Sequence, residues 1–347
     1  MAASNLGSSP RPTHFDCLAL GETMVRFSPP GENLLAQSPL VETHVGGSET
    51  NTLVGLARLG HRAAWLSRLT DNALGQWVAS AIAAHGVDTS RVLWTGDDRV
   101  GIYFYERGQR PRGPRVLYDR QGSAFSQLEP QRDYANLAAT TSASWFHTTG
   151  ITLAVSSGAR QCATSIARQL ASRGTKISFD TNYRARLWTT SQARRHCRPF
   201  LQESHLVFIP LRDLSIFFDL DPSDPPSWTG AFRAVAPRAT VVITCGASGA
   251  MAFEPSGACL HQATVPVDRR ERLGSGDAFT AGFLSAWMEH QDLAAALRRG
   301  NAAAALKCTI PGDLPWIDRH DVDRVAAQMP APSTDMTLVA STRDEWR

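Results

Sequence analysis

The sequence predicts an α/β protein: a three-layer α/β/α domain around a mostly parallel central sheet, with a small β-sheet lid over one edge. Three observations carry this. Short, near-continuous apolar runs such as "HLVFIP" and "ATVVITCG" read as strands buried on both faces, as in parallel sheets covered by helices. These runs alternate with segments of helical periodicity, which is the βαβ rhythm. Two regions break that rhythm with short strands of period two joined by turn-rich pieces, "MVRFSPP" through "LVETHV" and "RVLWTG" through "RVLYDRQG", and these suit a separate, mostly antiparallel sheet.

The elements follow in order. "FDCLALGE" is an apolar strand ended by glycine, and "ETNTLVGLARLG" is a helix with Leu53, Leu56, Ala57 and Leu59 on one side and Gly60 as its stop. "RAAWLSRL" and "NALGQWVASAIAAHG" repeat the strand and helix. The later pairs are "SASWFHTTG" with "GARQCATSIARQLASRG", "TKISFDTN" with "TSQARRHCRPFLQES", and "HLVFIP" with the helical stretch after it. The lid strands fall at about 23–45 and 91–121. One domain over 15–329 is expected, with a flexible tail at 1–14 and a second, loose tail at 330–347, where Pro, Ser, Thr and charge mix.

Hydrophobic residues make up 43% of the 347 and charged residues 19%, a globular composition rather than a disordered one. The formal charge of +3 gives no argument for a nucleic-acid partner. The local density of Arg107, Arg110, Arg112 and Arg115 reads as a solvated lid loop, with attraction for an anionic substrate as the alternative. No apolar run reaches the roughly eighteen residues of a membrane span, and "MAASNLGSSPRPTHFD" has no signal-peptide core. The six cysteines show no CxxC spacing and read as reduced core residues. A soluble, cytoplasmic protein is the expectation.

The patterns GxxxxGK[ST] and GxGxxG after an early strand are both absent, so P-loop and simple dinucleotide folds lose their main support. Two other glycine motifs remain. In "VGGSETN", Gly46 and Gly47 let a ligand approach the backbone and Asn51 offers a donor and an acceptor to a hydroxyl; the plainer account is a turn with Ser48 as helix cap. In "RLGSGDAFTAGFLSAW", Gly274, Ser275 and Gly276 lead into a helix whose free N–H groups and dipole make an anion site. Asp277 at that junction is a cap or a base, and the motif alone leaves the choice open.

Together the two motifs and the alternation between them resemble the ribokinase, or PfkB, family of sugar kinases. "GGSETNTLVGLARLG" looks like its N-terminal signature and "ERLGSGDAFTAGF" like its C-terminal one. Within the family, "VLYDRQGSAFSQL", "TGITLAV", "FDTNYRARLW" and "ALKCTIPGD" look like segments of 2-keto-3-deoxygluconate kinases. The resemblance implies a ribokinase-like fold and ATP-dependent phosphorylation of a sugar acid at its terminal hydroxyl. It makes Asp277 the general base, Gly274, Ser275 and Gly276 the anion hole, and Gly46, Gly47, Asn51, Tyr103, Tyr118, Arg120 and Arg184 the substrate pocket. It places ATP at Gly246 and Gly249 of "ITCGASGAMAF" and at Asn301 of "RRGNAAAALKC". A guanidinium fork matches a carboxylate, so arginines 120 and 184 suit a sugar acid better than a neutral hexose. The same helix dipole is expected to keep the pKa of Asp277 low.

Two positions depart from the family pattern. The Asn-x-x-Glu motif that organises Mg²⁺ and phosphates is matched by Pro210 and Asp213, so only Asp213 carries over, as an indirect metal contact. Glu271 stands where the C-terminal signature has aspartate, in a region that borders a monovalent-cation site in the family, which puts K⁺ in question beside ATP and Mg²⁺. Another kinase of the family, such as a fructokinase, and a non-catalytic sugar or nucleotide sensor on the same fold are the competing readings. A homodimer through the lid strands is the partner the resemblance suggests.

Overall fold

In strand β1 (Thr13–Leu20), Leu18 and Leu20 face one side of the sheet and Cys17 and Ala19 the other, and all four are fully buried. Apolar burial on both faces is why the sequence shows a continuous run here rather than an alternation. A computed structural model describes residues 13–335 apart from 110 and 222–227. Arg110 and most of both expected tails lie outside the described residues. Thr13 and His14 are already paired with β8, and Ser333 pairs with His261, so the tails expected at 1–14 and 330–347 do not begin at those bounds.

The strands continue as β2 (Met24–Ser28), β3 (Glu42–Gly46), β4 (Ala63–Thr70), β5 (Val92–Thr95), β6 (Ile102–Glu106), β7 (Arg115–Asp119), β8 (Thr141–Thr149), β9 (Lys176–Asp180), β10 (Leu206–Pro210), β11 (Thr240–Thr244), β12 (Ala250–Phe253) and β13 (Cys259–Gln262). The helices are α1 (Ser48–Arg58), α2 (Ala73–Ala83), α3 (Leu137–Thr140), α4 (Gly150–Val155), α5 (Ser157–Ala171), α6 (Thr190–Glu203), α7 (Leu214–Phe217), α8 (Trp228–Val235), α9 (Ser275–His290), α10 (Leu293–Cys308) and α11 (Arg319–Gln328).

Among the described residues, nine strands form one sheet in the order β13-β12-β11-β10-β9-β8-β1-β4-β5, parallel except for the β11-β12-β13 edge. Four more form the lid, β3-β2-β6-β7. One expectation fails here. The pattern of "RVLWTG" suits the lid, yet β5 pairs in parallel with β4, Ser67 against Val92, and so joins the main sheet. An edge strand has only one bonded neighbour and one well-covered face, and the half-exposed Trp94 lets it look like a lid strand in sequence.

Helix α9 runs through the interior, with every residue from Ala278 to Ala286 buried. Gly282 lets it approach α10, because a Cβ there would lie 2.5 Å from the Arg299 carbonyl. Burial of Phe283 alone contributes roughly 1.5–3 kcal/mol. A rigid helix is thereby fixed with its N-terminus facing the C-terminal ends of β9, β10 and β11, where open α/β sheets build their sites.

Candidate active site

That N-terminus opens on a cavity of about 1030 Å³. Its floor includes Gly274, Ser275, Gly276 and Asp277, one wall Asp180, Asn182 and Arg184, and the other Gly246, Gly249 and Asn301. Tyr105, Arg107 and Val116 of the lid side close over it.

Gly274 is the N-cap of α9, with φ of 76° and no side-chain cap. A Cβ there would strike the Asp313 carbonyl at 2.0 Å, so sterics and backbone conformation both demand glycine. Gly276 differs: a Cβ would meet nothing within 4 Å. The protein keeps that space open to the cavity beside the unpaired N–H groups of the first helical turn, a cradle suited to a phosphate.

Asp277 is fixed by two donors. The Ser48 hydroxyl donates to its Oδ1 and the Asn51 amide to its Oδ2, each at 2.7 Å. Asn182, with φ of 34°, donates to the Ser48 hydroxyl at 2.8 Å, which leaves the Ser48 proton for the carboxylate. Ser48 is therefore no helix cap; Gly47 holds the N-cap position of α1. Asn51 is committed largely to Asp277, with its Oδ1 accepting from the Gly47 N–H at 3.4 Å, rather than free to grip a sugar.

The expected low pKa of Asp277 is overturned. Burial pushes it up, against the hydrogen bonds from Asn51 and Ser48 and the charge of Arg184, which favour the ionised form. Desolvation outweighs the first-turn dipole and the two hydrogen bonds, and the nearby Asp313 charge adds to the rise. Asp180, which motif reading missed, is pushed to about 8 by burial first and the nearby Asp277 charge second.

The remaining expected residues divide. Arg184 is exposed and lines the cavity with its charge acting on Asp277, Asp180 and Asp213. Arg120 is ion-paired with Glu22, whose own carbonyl would lie 2.1 Å from a Cβ on Gly47; it sits near the glycine turn but is already partnered. Tyr103 is buried and donates to Asp313, the Tyr118 ring lies tilted against it at 5.7 Å, and neither is among the cavity-lining residues. Gly46 abuts Asp313, its would-be Cβ 2.6 Å from Oδ1. On the other wall, Gly246 and Gly249 have φ of 56° and 90°, and a Cβ on Gly249 would strike the Gln262 carbonyl at 2.0 Å. Asn301 is buried with its amide bonded to the Gln262 and Leu297 carbonyls, so it shapes that wall through its neighbours.

Asp213 is buried beside Arg212 with Oδ2 unpartnered, and does not line the cavity. Among the described residues, the group of three ligand-type side chains close enough to cage a metal is Asp318, His320 and Asp321, on the surface. Asp180 with Asp213 behind it suits a hydrated Mg²⁺, which keeps several waters and needs few carboxylates.

Fold and site together define a small-molecule kinase acting on carbohydrates. The chain belongs to the PfkB family of carbohydrate kinases: the description "pfkB family carbohydrate kinase" matches residues 15–316. It is 34% identical over 310 residues to the 2-dehydro-3-deoxygalactonokinase of Haloferax volcanii, covering 89% of this chain and 96% of that relative. It is 30% identical over 309 residues to the 2-dehydro-3-deoxygluconokinase of Thermoproteus tenax, covering 88% and 92%. The solved 2-dehydro-3-deoxygluconokinase of Thermotoga maritima shares the ribokinase-like fold, with a TM-score of 0.83 and 26% identity, covering 91% of this chain and 99% of that one.

Proposed function

We propose that the protein transfers the γ-phosphoryl group of ATP to the terminal hydroxyl of 2-keto-3-deoxygluconate. The observation that carries this is the doubly held Asp277 at the start of α9, in one cavity with Arg184. The hydroxyl oxygen attacks the γ-phosphorus, the bond to the ADP oxygen breaks, and an Asp277 oxygen takes the hydroxyl proton. Backbone N–H groups from Gly274 to Asp277 hold the transferring group, and Gly276 leaves it room. Arg184 pairs with the sugar carboxylate. Gly246, Gly249 and Asn301 form the nucleotide wall. Asp180 and Asp213 would hold Mg²⁺, which would supply neutralisation of phosphate charge there. The lid excludes water, so transfer outcompetes hydrolysis.

The Haloferax relative favours one second reading, 2-keto-3-deoxygalactonate, which differs in configuration at a single carbon. A coupled ADP-release assay over both acids, gluconate and neutral hexoses decides among them. Asp277→Asn is expected to lower kcat by about 10²–10⁴-fold. Arg184→Ala is expected to cost about 10–100-fold in kcat/KM on the acids and far less on a neutral sugar. Equal losses on both would reject the sugar acid in favour of a fructokinase-like role, and binding without any ADP release would leave a sensor.

A further inference from the structure

Beneath the anion hole lies a charged cluster that the reaction just described does not use. Arg26 of β2 is fully buried, and its guanidinium donates to Glu271 Oε1 at 2.7 Å, to Glu271 Oε2 at 3.2 Å and to Asp313 Oδ2 at 2.8 Å. The Gly312 N–H also donates to Glu271 Oε2, at 2.9 Å, and the Tyr103 hydroxyl to Asp313 Oδ1. Lys307, likewise without exposure, donates from Nζ to the Ile310 carbonyl at 3.1 Å. The cluster presses on Gly274 directly: a Cβ there would lie 2.0 Å from the Asp313 carbonyl and 3.4 Å from the Lys307 Cε.

This is the region where a monovalent cation would be sought, bordered by the first residue of the C-terminal signature. Such an ion needs several free oxygens, from carboxylates or backbone carbonyls. Here all four oxygens of Glu271 and Asp313 are engaged, and the Ile310 carbonyl is bonded by an ammonium. Two buried carboxylates already face two buried cations, with Arg107 a further 3.7 Å from Glu271. An inorganic cation would have to displace a tethered one of the same charge, so the residues present do not fit K⁺.

We infer that Arg26 and Lys307 are positioning residues that supply, as side chains, the positive charge holding the anion-hole loop in place, and that the protein works without a monovalent cation. Arg26 comes from the lid and Glu271 from the loop, so the same ion pair ties lid to anion hole. The inference rests on the kinase reading of this site.

The test uses the full-length protein with ATP, Mg²⁺ and 2-keto-3-deoxygluconate in K⁺, Na⁺ or tetramethylammonium buffers, with melting temperature recorded in each. The expected result is kcat/KM equal within about 2-fold and a Tm independent of the ion, since an ion bound only by the native state would raise Tm with its concentration. Lys307→Met is expected to lower kcat by about 10-fold or more, with partial rescue by K⁺ or NH₄⁺ and none by tetramethylammonium. Activation of the unaltered protein by K⁺ of about 10-fold, or a Tm raised by K⁺ alone, overturns the inference. If Lys307→Met does not fold, the ion series on the unaltered protein decides. Absence of turnover in all three salts counts against the kinase reading, and the Tm series still decides the ion question.

Discussion

The readiness of Asp277 for its proposed role as base is set by what touches it. Burial raises its pKa, and the bonds from Asn51 and Ser48 pull against that. Ionisation is required for proton acceptance, so the acid limb of the pH–rate profile belongs above the usual aspartate range. Ser48→Ala removes one bond that favours the charged form and should move that limb up by about one pH unit, since a hydrogen bond to a charged group is worth roughly 1.5–3 kcal/mol. A kcat/KM profile between pH 5 and 9 checks this, and an unmoved limb would show that Asp277 is not the group titrating there. The helix start at Asp277 is legible in sequence because a glycine-led start is a local signal, but the choice between cap and base came only with the family resemblance. Ser48 and Asn182 are not legible, because their roles exist only across 229 and 134 positions of chain. Asp180 lies within "FDTN", but only folding places it in the same interior as Asp277.

At the scale of elements, two glycines in one loop make different demands. Gly274 needs its left-handed φ and has the Asp313 carbonyl where a Cβ would go. Gly274→Ala should therefore destabilise the fold by about 1–3 kcal/mol or more and lower Tm, with activity falling in step. Gly276 has no positive φ and no protein atom near a Cβ. Gly276→Ala should leave Tm unchanged or slightly higher, since alanine favours helix by up to about 1 kcal/mol. Its kcat/KM should fall by about 100-fold, because the methyl enters the space kept for phosphate. Thermal melts beside ATP kinetics separate the two; equal Tm losses would deny the cradle. Both glycines look alike in "RLGSGD", and only the tertiary neighbours tell them apart. The strands show the same limit. β1, β10 and β11 were legible because they are buried on both faces, whereas β5 is an edge strand whose period-two pattern fits either sheet.

Over the whole molecule, the site sets acids such as Asp180 and Asp277 against a cavity wall that carries several exposed arginines, Arg184, Arg212, Arg269, Arg270 and Arg272. Asp180 is pushed to about 8 and Glu49, which accepts from Thr149 and Thr152 at 2.7 Å, to about 7, burial being the main cause for both. Both values lie above those of the unfolded chain, so between the two limits the folded state holds protons that the unfolded state has released. Stability must then fall as pH rises through that window. Buried His147, pushed down to about 4, works the opposite way, but only below its unfolded value near 6.5, so it is silent above that pH. From pH 6.5 to 8 the ligand-free protein should lose on the order of 1 kcal/mol of stability per pH unit, most of it from Asp180 as Glu49 completes its titration. Asp180→Asn, which cannot ionise, should remove the larger part of that slope and raise Tm at pH 8, at the same time as it impairs turnover. Denaturant unfolding at pH 6.5, 7.25 and 8 measures the slope directly, and a slope unaltered in Asp180→Asn would mean that this carboxyl is already ionised in the folded state. The site is thus expected to be less stable without its ligands at the pH where its acids are charged, and binding of cationic or phosphate-bound partners to the native state alone offsets that cost.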